Sequence, residues 1–134
     1  MARRIIAFLL LTLVAAGGTV LAATPGLTAQ ISREGGVNVT VTPRNLAPNA
    51  TSWDFEVVLE THTQPLDQDL TKVAVLVDAQ GKAHAPLGWK GDPPGSHHRR
   101  GVLQFRPLAG NPAMVELRLH GIGGVDRTFR WQIR

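Results

Sequence analysis

Trp53-Asp54-Phe55-Glu56-Val57-Val58-Leu59-Glu60-Thr61 is the stretch that decides the fold. Successive side chains of an extended chain point to opposite faces. Trp53, Phe55, Val57 and Leu59 therefore share one face, and Asp54, Glu56, Val58 and Glu60 share the other. That alternation is a strand with one side in a core and one side in solvent.

The same period recurs on either side. Val37 to Thr42 alternates strictly, Val115, Leu117 and Leu119 alternate within Met114 to His120, and Phe129, Trp131 and Ile133 alternate within Arg127 to Ile133. Lys72 to Asp78 is a short β-branched run that turns at Gly81 and returns through Ala83 to Leu87, and Val102 to Arg106 adds a further segment. Short strands with turns between them and no amphipathic helix predict an all-β fold: an immunoglobulin-like antiparallel β-sandwich of about seven strands, with a small barrel as the alternative. Trp53, Phe55, Phe105, Phe129 and Trp131 are the expected core aromatics, since a cysteine-free domain is held by apolar burial alone.

At the N-terminus, Arg3 and Arg4 precede the apolar run Ile5 to Val14, and Val20-Leu21-Ala22 places small or modest residues before a cut. This is the layout of an export signal. It predicts a signal helix over 1–22, a flexible tether over 23–36 and one domain over 37–134, with the mature protein periplasmic or secreted. An uncleaved anchor is the alternative, because Ile5 to Ala23 covers 19 residues and a spanning helix needs roughly 17 to 25. Gly17, Gly18 and Thr19 interrupt that run. Only residues 5–23 could then meet a membrane.

Without Arg3 and Arg4 the chain carries 12 Lys and Arg against 10 Asp and Glu, scattered along the strands. That is a charge of +2, with no basic stripe and no Tyr, which argues against nucleic acid as a partner.

Loops at the ends of a sandwich carry its chemistry. Thr61 to Leu70 holds His62, Asp67 and Asp69, and Gly91 to Gly101 holds His97, His98, Arg99 and Arg100 in a Gly and Pro frame. If the two loops share an end, His62, Asp69, His97 and His98 supply three imidazoles and a carboxylate. That donor set suits Zn(II) or Cu(II) and is ill suited to Mg(II) or Ca(II). Cu(I) is disfavoured because the only methionines are Met1 and Met114. No compact metal motif is present, and the competing reading is a polar structural loop whose side chains cap carbonyls or pair with Asp67, Asp69 and Asp92. His84 and His120 occupy polar strand positions and are expected in solvent. Ser96 beside His97 is a sequence neighbour and no catalytic constellation is visible, so an enzyme is not expected.

Thr61-His62-Thr63 through Asp69-Leu70, Gly81, Trp89 and Gly95-Ser96-His97-His98-Arg99-Arg100-Gly101-Val102-Leu103-Gln104-Phe105 resemble a family of small exported prokaryotic proteins without assigned activity. The resemblance spans roughly residues 37 to 133. It implies that His62, Asp69, His97 and His98 mark the site, and brings no reaction with it. Relatives of that kind are expected to carry a lipid-anchored cysteine, which this chain lacks. The expected function is an exported binding module of unknown ligand, with zinc or copper as candidates. The alternative is a structural or assembly domain contacting another envelope protein.

Overall fold

The computed structural model describes residues 27–134, and the expected signal and its cleavage point lie outside them. No helix among the described residues is long and apolar enough to cross a membrane. The strands are β1 (Gln30–Glu34), β2 (Val37–Asn45), β3 (Trp53–Thr61), β4 (Ala74–Val77), β5 (Ala83–His84), β6 (Gly88–Gly91), β7 (His98–Phe105), β8 (Met114–Ile122) and β9 (Val125–Gln132). Among the described residues one short helix, α1 (Leu70–Val73), precedes β4. The strands form two antiparallel sheets, ordered β1-β2-β3-β7-β6 and β5-β4-β8-β9.

The seven expected strands all have counterparts, and two more join them. Residues 30–34, expected as tether, pair with β2 from Gln30 beside Val41 to Glu34 beside Val37. Gly88–Gly91, whose last residue opens the segment read as a loop, pairs with β7. Strand β7 also starts earlier than its apolar residues indicate, at His98, so the segment read as a loop is half strand.

The alternation in β3 is realised in full. Trp53, Phe55, Val57 and Leu59 are buried, while Asp54, Glu56 and Glu60 turn outward. Phe55 meets Phe105 edge-on at 5.8 Å and Trp131 of the opposite sheet at 5.7 Å, and Trp131 stacks on Phe129 at 6.2 Å. Both buried indoles keep a partner for the N–H, as an apolar site requires. Trp53 Nε1 donates to the Ala47 carbonyl at 3.0 Å and Trp131 Nε1 to the Thr28 carbonyl at 2.8 Å.

At the other end of the strands the core is closed by a charge. Arg127 occupies the inward phase of β9 and is buried. Its Nη1 donates to the Ser32 carbonyl, the Ser32 hydroxyl and the Val37 carbonyl, each at 3.0 Å. Its Nη2 donates to the carbonyls of Glu34 at 2.8 Å and Ile122 at 2.9 Å. One guanidinium thus ties the β1–β2 hairpin of one sheet to the β8–β9 hairpin of the other. The hairpins also touch through backbone. A Cβ on Gly35, whose φ is 58°, would stand 2.3 Å from the Gly123 carbonyl oxygen, so only glycine permits the contact.

On the outer face of the five-stranded sheet, Glu56 lies between Arg44 at 3.1 Å and Arg100 at 3.2 Å. Partial burial opposes its ionisation, but the two guanidinium groups prevail and hold its carboxyl below the usual range.

Replacing Trp53 or Trp131 by Ala is expected to lower stability by about 3–5 kcal/mol, read as a shift in the denaturant midpoint. Arg127→Met leaves buried carbonyls without a donor, at about 1–3 kcal/mol for each that stays dry; its melting temperature should fall clearly, whereas Arg130→Met on the outer face should change little. Glu56 has a depressed folded-state pKa, so its contribution is complete above the unfolded value of about 4.3 and is lost as pH falls through the folded one. The stability difference between wild type and Glu56→Gln should accordingly shrink below about pH 4, as followed by denaturation at a series of pH values.

Candidate functional site

Three of the five histidines line one groove. It lies at the arginine end of the five-stranded sheet, away from Leu27 where the described chain begins. Its walls are Gly36 of the β1–β2 turn, Asn38 of β2, Glu60 and Thr61 at the end of β3, His62 just beyond, and His97 and His98 at the start of β7. The groove is open and about 530 Å³ in volume.

The register explains why these residues meet. Glu60 pairs with His98 across β3 and β7, and the Thr61 amide continues the ladder to the His97 carbonyl at 2.9 Å. The two loops then zip together. Leu66 N donates to Ser96 O and Gly95 N to Leu66 O, both at 3.1 Å, and the Ser96 hydroxyl turns back onto the His98 carbonyl. Thr61, buried, fixes the floor by donating its hydroxyl to Gly36 O at 2.8 Å, and Gln64 Nε2 reaches Gly35 O at 2.8 Å.

His98 Nε2 stands 3.6 Å from Glu60 Oε1, with both side chains more than half exposed. Protonation of His98 makes this an ion pair. In solvent such a pair contributes little to stability, so it leaves both groups available to a ligand.

Asp69, expected beside these histidines, is not among the residues that line the groove. Its carboxylate caps α1, accepting from Thr71 N at 3.0 Å and Thr71 Oγ1 at 2.6 Å. Those two bonds hold its pKa below the ordinary value. Glu60 takes the place of Asp69 as the carboxylate beside the imidazoles. Among the described residues no group of three or more His, Asp or Glu side chains is arranged to hold a metal ion.

The remaining histidines are engaged elsewhere. His84, expected in solvent, is half-buried, and its Nε2 lies 2.8 Å from Asp78 Oδ2 in the β4–β5 hairpin. His120, exposed as expected, holds Asp126 at 2.6 Å across the β8–β9 turn.

Behind the groove, Arg99 faces inward and is 1 % exposed. Nη1 donates to Leu66 O at 3.0 Å and Gln68 O at 2.7 Å, and Nη2 reaches Asp92 O at 3.4 Å. The Trp89 ring lies 5.7 Å from the guanidinium and sends its own N–H to Asp92 O at 2.9 Å. Burial lowers the Arg99 pKa, while the negative charges of Asp92, Asp69 and Asp67 oppose that shift. Carbonyl capping, the structural reading of this loop, therefore describes Arg99 well. It does not describe His97 and His98, which stay exposed.

Glu60 and Asn38 are the residues that sequence reasoning missed, and for Arg99 it missed the burial. Extending the alternation of Leu103 and Phe105 back through Gly101 reaches Arg99, and that parity was the available signal. Glu60 and Asn38 needed the strand register. No family model matches the chain, and no curated protein or solved structure matches it either.

Proposed function

We propose that the chain is an exported binding module, an immunoglobulin-like domain that takes its ligand in the groove of His62, His97, His98 and Glu60. The observation that supports this reading most is the gathering of three imidazoles and a carboxylate in one open groove, none of them needed by the core.

Donor chemistry favours Zn(II) or Cu(II) over Mg(II) or Ca(II), because neutral imidazole suits the former and the latter prefer sets of oxygen ligands. As placed, the donors do not converge on a point. Capture of an ion would turn exposed side chains inward, and the exposure of His98 and Glu60 gives them that freedom. Protons compete for the same nitrogens, so affinity should fall as pH drops below about 6.5.

Calorimetric titration with zinc and with copper at neutral pH tests the reading. His97→Ala with His98→Ala should abolish binding while leaving the melting temperature close to wild type. Glu60→Gln should weaken it by about tenfold or more, on the scale of altered metal surroundings, whereas Asp69→Asn should not. Binding of either metal no tighter to wild type than to the double variant would remove the metal reading, leaving the groove as a contact for another envelope protein.

A further inference from the structure

We propose that Arg99 is the positioning residue of the histidine groove, setting where His62, His97 and His98 stand without touching a ligand itself. The proposal rests on the groove being the binding site. The geometry beneath it is independent of what binds.

The two loops that deliver His62 and His97 meet through backbone bonds, Leu66 N to Ser96 O and Gly95 N to Leu66 O. The Arg99 guanidinium joins them a second time, from the buried side. Its carbonyl partners at 66 and 68 belong to the loop after His62, and the partner at 92 belongs to the loop before His97. A lysine could not replace it in kind. A fork of fixed planar donors can address carbonyls on two segments at once, whereas an ammonium offers a point charge on a flexible stem.

Strand parity completes the device. With Arg99 drawn inward, His98 and Arg100 must point outward. His98 is thereby set opposite Glu60. The Trp89 ring lies beside the guanidinium and closes the same loop at Asp92. One inward side chain thus fixes both the parity that turns His98 outward and the carbonyls of the loops that follow His62 and precede His97.

The full mature domain carrying Arg99→Lys tests this, with histidine ring signals followed by NMR as pH is varied and zinc affinity measured alongside. His84 and His120 serve as internal controls, since their partners Asp78 and Asp126 lie in hairpins that Arg99 does not bond. The expected result is a changed signal and titration midpoint for His62, His97 and His98, unchanged His84 and His120, and zinc affinity reduced at least tenfold. Groove histidines and zinc affinity both unchanged in a folded variant would overturn the proposal, as would equal changes in all five rings. If wild type binds no zinc, the zinc reading of the groove fails, while the ring signals still decide the role of Arg99. Should Arg99→Lys not fold, Trp89→Phe keeps an aromatic ring and releases the Asp92 carbonyl. A shift confined to the groove histidines then supports the proposal and its absence rejects it.

Discussion

A buried guanidinium satisfied by main-chain carbonyls is the interaction on which the rest of this domain depends, and it occurs twice. Arg127 and Arg99 both occupy the inward phase of a strand, and among the described residues their side-chain bonds go to main-chain carbonyls and one hydroxyl. A buried charge is costly unless hydrogen-bonded. Here the cost is offset by carbonyls that would themselves be orphaned in loops and hairpin ends. In each arginine Nε is the side-chain nitrogen that has no partner among the described residues. Charge and backbone solve each other's desolvation problem, which an apolar residue of similar size could not do.

Both arginines sit at the same end of the two sheets, and the aromatic cluster occupies the other. Trp53, Phe55, Phe105, Phe129 and Trp131 fill the end where β3 begins and β9 finishes. The two ends therefore have different physical character. One is locked by apolar area and aromatic contact, which is non-directional and tolerant of small shifts. The other is locked by directed hydrogen bonds, which fix loop positions within the limits of donor geometry. A cysteine-free chain displaying polar loops at one end needs both: bulk stability from the aromatics and loop definition from the arginines.

The parts of the fold that were legible in the sequence are those whose stabilisation is local to a strand. The alternation in Trp53 to Thr61, Val37 to Thr42 and Arg127 to Ile133 reports burial directly, so these strands and their aromatic residues are readable. Gln30–Glu34 is not, because an edge strand with three of its five residues exposed has no strong period, and its Ser32 carbonyl is held by Arg127 from 95 residues away. His98 to Arg100 reads as loop for the same reason. A charged residue at a core position breaks the pattern, and the carbonyls that satisfy it lie 31 and 33 residues away. Asp69 was readable in another sense: an Asp just before Leu70 and two before Thr71 is an N-cap signal.

Register is what turns these packing facts into a site. A slip of one residue in β7 would send Arg99 to the surface and His98 into the core. The pairing of β6 with β7 resists that slip sterically. A Cβ on Gly101 would lie 2.5 Å from the Trp89 ring and 2.7 Å from the Gly91 Cα, so only glycine can stand there. Residues 100 and 102, the neighbours a slip would bring to that position, are Arg and Val. The Trp89 ring thus excludes the alternative registers, Arg99 is kept inward, and His98 is kept outward beside Glu60. The chemistry of the groove is in this way a consequence of a glycine that bears no functional group at all.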